Sequence, residues 1–205
     1  MAQAKRARYH HGDLRTALLQ AAEAILDEAG LDTLTLREAA RRAGVSHAAP
    51  AHHFGDLGGL LTELAAVGFD RLAARMRTAA EEAPEGRRLA EVGRAYIRFA
   101  QASPGLFQLM FRARGLDYSA PRLREASRAA FEELAGAMVA GTEQPEATGA
   151  ADVGSAAKLA GAWALVHGFA FLSIDGRLAP VLEHAGGVSE DAILDILLGG
   201  APQSR

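Results

Sequence analysis

The sequence predicts an all-α protein with a small three-helix head and a larger helical body, and three observations carry that prediction. Apolar residues recur three and four apart through most of the chain, the spacing that gives a helix one buried face. No segment alternates apolar and polar residues for long enough to make a strand. Prolines and paired glycines fall mostly between the periodic stretches, where they end helices.

The elements follow in order. Leu14, Leu18, Ala22, Ile25, Leu26 and Ala29 share one helical face, and Gly30 stops this first helix after about four turns. Thr35-Leu-Arg-Glu38 reads as a capping box, in which the Thr35 hydroxyl takes a backbone N–H and Glu38 reaches back to the cap. Leu36, Ala39, Ala40 and Ala43 continue a short second helix, ended by Gly44. Ser46 is the N-cap expected for a third short helix running to about His53. On that register Pro50 falls at the fourth helical position, where its missing N–H would have bonded the Ser46 carbonyl, so an irregular start is expected. Two short helices joined by a glycine-containing turn make a helix-turn-helix over residues 35–54. A long fourth helix spans Leu57 to about Glu82, and Pro84-Glu85-Gly86 is the clearest boundary. Further helices are expected at about 87–102, 104–113, 120–140, 152–175 and 189–198.

Composition narrows the function. The chain has 205 residues, 49% of them apolar, enough to bury a core. It has no cysteine, which excludes disulfides, cysteine nucleophiles and thiolate metal sites. The net charge of -3 argues against a protein coated in basic charge, but it is divided by region. Residues 1–53 hold seven Lys/Arg and six Asp/Glu, a net of +1, together with five of the seven histidines; the remainder carries a net of -4.

No GxSxG, HExxH, P-loop or GxGxxG pattern is present, so catalysis has no signature. The adjacent pairs His10-His11 and His52-His53 diverge on a helix, which is poor geometry for one metal, and neither a metal nor a cofactor is expected. MAQAKRARYH has no apolar run behind its basic cluster and no lipidation motif, so a cytoplasmic protein is expected. Ala156 to Ile174 is the best membrane candidate, but its Ala and Gly content and the interruptions at Lys158 and His167 favour a buried or interface helix.

RYHHGDLRTALLQAAEAILDEAGLDTLTLREAARRAGVSHAAPAHHFGD resembles the N-terminal DNA-binding region of TetR-type transcriptional regulators, from Tyr9 to about Leu72. The likeness is carried by the small apolar core of the first helix, Gly30, the TLREAARRAGVS run and the closing His53-Phe54. It implies a flexible basic arm over residues 1–11, a DNA-binding domain over 12–72, and Ser46 to His53 as the helix laid in the major groove. His47, Ala48, Ala49 and His52 supply small surfaces and donors for base edges. Thr35 is placed to hold a phosphate, Arg37 adds to the field, and Arg41 and Arg42 either do the same or form a solvated face. Lys5, Arg6 and Arg8 form an arm that either lies along DNA or only solubilises the chain. Two residues depart from the family pattern: Ala51 stands where an aromatic is usual, and Leu57 where a lysine is usual. Both replacements remove an expected phosphate contact.

The resemblance further implies a dimerising, ligand-enclosing body over residues 84–202. Trp163-Ala-Leu-Val-His167-Gly168, with Tyr96-Ile-Arg-Phe99 and Pro104-Gly-Leu-Phe107-Gln-Leu-Met110-Phe111, looks like the C-terminal type named for its Trp-His-Gly signature. Trp163, His167 and Phe171 lie on one helical face, and together with Tyr96, Phe99, Phe107, Met110 and Phe111 they are the candidate wall of a site for a small apolar effector. Ordinary core packing, with His167 hydrogen-bonded to a neighbour, is the competing reading. Gly161 and Gly168, seven residues apart, would let another helix approach closely, so this helix and the last one are the expected homodimer interface. The leading expectation is a homodimeric repressor that a small-molecule effector releases from double-stranded operator DNA. The alternative is a small-molecule-binding dimer with weakened or lost DNA binding.

Overall fold

The computed structural model describes residues 11–139 and 153–199. Every regular element among the described residues is helical. The head comprises α1 (His11–Ala29), a 3-10 turn (Leu31–Thr33), α2 (Leu36–Arg42) and α3 (Ala49–Phe54). α4 (Leu57–Glu82) leaves the head and enters the body, which adds α5 (Arg88–Ala102), α6 (Pro104–Arg112) and α7 (Pro121–Val139). α8 (Val153–Ile174), α9 (Ala179–His184) and α10 (Glu190–Leu197) complete the chain.

α4 organises the molecule. Its apolar positions Leu60, Leu64, Leu72 and Met76 are buried, and they join one continuous core that also holds Ile25 of α1 and Phe99 and Phe107 of the body. Burial of each such side chain is worth about 1.5–3 kcal/mol, so head and body are stabilised together. The break expected at Pro84 to Gly86 is an exposed turn between α4 and α5, both of which contribute to this core.

Glycine is required where α4 begins. A Cβ on Gly59 would overlap the Phe54 carbonyl oxygen, an atom of the backbone that cannot swing aside. Gly59→Ala is therefore expected to destabilise the fold by about 2–3 kcal/mol, read as a lowered thermal midpoint. An unchanged midpoint would show that the α3–α4 corner relaxes freely.

The described helices depart from the sequence expectations at five points. α1 is 19 residues long, nearer five turns than four. Glu38 does not complete the capping box: its backbone N–H donates to Thr35 Oγ1 at 3.1 Å, but its carboxylate is taken by Arg41. Ser46 does not cap α3, because residues 47 and 48 form a turn and the helix starts at Ala49 with no side-chain cap. Pro50 consequently lies in the first turn of α3, where a backbone N–H has no helical acceptor, and the irregular start shows as the turn at 47–48, across which the Ala49 N–H donates to the Ser46 carbonyl at 3.0 Å. The 3-10 turn and α9 were not expected. α9 is six residues, with proline in its first turn, inside a stretch whose glycines read as loop.

α10 is tied to α5 by ion pairs from Arg94 to Asp195 and from Arg98 to Asp191. Ser173 of α8 donates to Glu190 of α10 at 2.6 Å and accepts from Gln101 of α5 at 2.9 Å.

Candidate nucleic-acid interface and ligand cavity

α2 ends in a left-handed Gly44 (φ 68°), and the Val45 N–H donates back to the Ala40 carbonyl. α2 and α3 pack against each other across this turn. Thr35, Arg37, Ser46, His47, Ala48, Ala51 and His52 are exposed, with Ala49 and His53 half-buried. Pro50 is the buried residue of α3. Arg6 and Arg8 lie outside the described residues.

The positive charge of the described head residues is largely spent. Arg41 bonds Glu38 at 2.8 and 2.5 Å, Arg42 bonds Glu28 at 2.7 Å, and Arg15 pairs with Glu63. Arg42 and Arg41 hold the Glu28 and Glu38 carboxyls below the usual carboxylate range, chiefly through these hydrogen bonds. Arg37 makes no ion pair among the described residues.

In the body, a cavity of about 290 Å³ opens between α4 and α8. α4 supplies Phe69 and Leu72, α5 Tyr96, α6 Phe111 and α8 Trp163, while α7 presents Ser127, Ala130, Phe131 and Leu134 and the preceding loop Tyr118. Of the residues proposed from sequence, Tyr96, Phe111 and Trp163 line it. Phe99, Phe107 and Met110 are buried in the core and do not border it. His167 stands behind Tyr96, its Nδ1 2.8 Å from the phenol oxygen, and within 5 Å of the Phe111 and Phe171 ring centroids. Phe171 extends this aromatic layer away from the cavity, under the Arg112 guanidinium. The α7 wall was legible in principle: residues 127, 130, 131 and 134 form one helical stripe.

The two regions are connected. Tyr118 donates its hydroxyl hydrogen to the Met110 carbonyl at 3.0 Å, and the neighbouring Asp117 N–H donates to Thr62 Oγ1 in α4 at 3.1 Å. The loop that walls the cavity thus also holds the head-proximal end of α4.

Residues 18–64 match the tetR family of bacterial regulatory proteins, and residues 89–197, more than half of the chain, match a tetracyclin repressor-like C-terminal domain. The chain belongs to the TetR family of transcription regulators. It is similar to a protein of unknown function from a Rhodococcus species, at 36% identity over 94% of this chain and 95% of the other, with a TM-score of 0.73. At 19% identity it shares its fold with the TetR-family regulator PfmR of Thermus thermophilus, over 92% of this chain and 99% of that one (TM-score 0.62). The same identity relates it to the TetR-like regulator LfrR of Mycobacterium smegmatis in complex with proflavine, over 94% and 99% (TM-score 0.59). No curated protein matches the sequence. The finer likeness to the Trp-His-Gly type is not carried by the family match.

Within this TetR-family chain, the departure at position 57 has a structural reason. Leu57 is half-buried and packs against the core at the start of α4, so the position contributes packing in place of charge. Ala51 is exposed on α3, and nothing in the structure explains its replacing an aromatic.

His167 gives a pH prediction. Burial, and secondarily the Arg112 charge, push its pKa below the ordinary value of 6.5, so the folded chain binds the proton less readily than the unfolded chain. Its effect on stability is absent above the unfolded value, and destabilisation grows as pH falls from there toward the depressed folded value. His167→Gln is expected to flatten the fall of the thermal midpoint between about pH 7 and 5. Parallel wild-type and variant profiles would refute it.

Proposed function

We propose that this chain is a homodimeric repressor whose head holds operator DNA until a small apolar effector fills the body cavity. The observation that carries the reading is the path from cavity to head: Phe69 and Leu72 wall the cavity, and the same helix begins directly after α3. Thr35 and Arg37 contact phosphate, and Ser46, His47, Ala48, Ala49, Ala51, His52 and His53 face the major groove, with the Arg6–Arg8 arm alongside. Tyr96, Phe111 and Trp163 touch the effector; Phe99, Phe107, Met110, His167 and Phe171 support that wall from behind. A neighbour of the same fold binds proflavine, which supports the body as the ligand-binding part. The effector must bind the two head spacings with different affinity for release to follow.

The dimer forms through α8 and α10. α8 is apolar enough and long enough to cross a membrane by composition, yet only Val166, Phe169 and Ala170 are buried. Gly161, Leu165, Gly168 and Leu172 share its outer stripe, Leu165 and Leu172 are exposed, and space is open around both glycines. A second copy, rather than lipid, covers this stripe, and the protein is cytoplasmic. Gel-shift titration against DNA flanking its own gene tests the repressor reading. Sequence-preferring binding at low salt supports it, and uniform or absent binding overturns it.

A second reading, a ligand-binding dimer with weak or lost DNA affinity, is favoured by the paired arginines and by Ala51 and Leu57. On it, Ala51→Tyr with Leu57→Lys creates DNA binding that the natural chain lacks; unchanged behaviour counts against it.

A further inference from the structure

We propose that the cavity selects an uncharged aromatic molecule of about two rings that carries an O–H or N–H donor, such as a naphthol-like phenol or an arylamine. The inference deepens, and rests on, the reading of the cavity as the effector site.

Size comes first. A cavity of about 290 Å³ is roughly twice the ~150 Å³ that suffices for one benzene ring. Shape and surface follow, because six of its ten lining residues are aromatic. Phe131 and Trp163, whose ring centroids are 6.3 Å apart, are partly exposed and form an aromatic edge of the opening. Planar rings gain offset or edge-on contacts with such walls that aliphatic chains do not.

Charge is excluded by what the walls lack. The lining contains no Asp, Glu, Lys, Arg or His. His167, one layer behind, is disfavoured as a cation by burial, and the Tyr96 phenol is held above its ordinary pKa chiefly by burial. A ligand carrying a formal charge would enter without a counter-charge, a large desolvation cost.

The hydrogen-bond polarity is set by neighbours. Tyr118 gives its hydroxyl hydrogen to the Met110 carbonyl, and Ser127 gives its own to the Arg124 carbonyl at 3.2 Å. Both oxygens retain lone pairs, so what these two walls offer is acceptors. A ligand donor satisfies them, and a ligand acceptor does not.

Isothermal titration calorimetry on the full chain distinguishes the parts, using naphthol, methoxynaphthalene and naphthalenesulfonate as probes with the same ring system. Naphthol is expected to bind once per chain. Methoxynaphthalene should bind about tenfold more weakly for the lost donor, and the sulfonate about a hundredfold more weakly or more. Tyr118→Phe with Ser127→Ala should bring naphthol and methoxynaphthalene to within about threefold of each other. Ala130→Leu, which adds volume in the wall, should abolish naphthol binding; Ser127→Leu does so from a less buried position if Ala130→Leu fails to fold. Equal or tighter sulfonate binding, or no preference for naphthol over its methyl ether, overturns the proposal while leaving the effector site intact. No binding of any probe, or naphthol binding that survives both cavity-filling substitutions in folded protein, overturns the effector-site reading along with it.

Discussion

A chain carrying Leu165→Glu and Leu172→Glu is expected to sediment as a monomer and to lose operator affinity by about two or more orders of magnitude. Both leucines are exposed, at 40% and 43%, on the outer stripe of α8, so the isolated fold loses little when they change. A dimer burying that stripe would instead bury four unpaired carboxylates close to its axis, which burial penalises heavily. The DNA effect follows from geometry. Two heads held about 34 Å apart engage successive turns of one DNA face, and linking two sites raises avidity by about 10²–10⁴ over one. The head has little with which to compensate, since its described arginines other than Arg37 are already paired. Analytical ultracentrifugation and gel shift together check it, with the thermal midpoint as the control for folding. A variant that stays dimeric, or a monomer with undiminished affinity, would remove the α8 interface from the mechanism.

What the sequence made legible, and what it did not, separates by the range of the physics involved. Helix periodicity is local, so α4 was readable from Leu57 to Glu82 and α5 to within a residue. Thr35 capping Glu38 is local as well, and the hydroxyl makes that bond. The other half of the box depended on a competitor, since Glu38 is within reach of Arg41 and the ion pair takes its carboxylate. The register of α3 also failed on competition: Ser46 is a good cap by type, but the turn at 47–48 places Pro50 where a first-turn proline fits. The cavity was half legible. Tyr96, Phe111 and Trp163 stood out as aromatics within a recognised pattern. Phe69 and Leu72 looked like ordinary core on α4, and Tyr118 sits in a loop with no periodicity to place it. Phe99 and Phe107 carried the same aromatic signal as the lining residues, and only packing assigns them to the core. The net charge was the least informative quantity, because pairing decides which cations reach DNA.

That point yields the second large effect: Glu28→Gln with Glu38→Gln should raise DNA affinity and steepen its salt dependence. Each glutamate occupies one arginine, the exposed Glu28 holding Arg42 and the half-buried Glu38 holding Arg41, all within the head. Glutamine keeps side-chain volume and a weaker hydrogen bond while removing the negative charge. The Thr35 cap survives, because its acceptor role uses the Glu38 backbone N–H and not the carboxylate. Two freed guanidiniums neutralise up to two more phosphates, which steepens the log–log salt slope by up to about 1.8 and raises affinity by about one to two orders of magnitude near 0.1 M salt. Stability should change little, since exposed ion pairs contribute roughly 0–1 kcal/mol. Titrations at several salt concentrations separate this from a change in base readout, because a phosphate effect acts equally on specific and non-specific DNA. If affinity and slope stay at their wild-type values, Arg41 and Arg42 face away from the duplex, and the grip on phosphate falls to Thr35, Arg37 and the partner head.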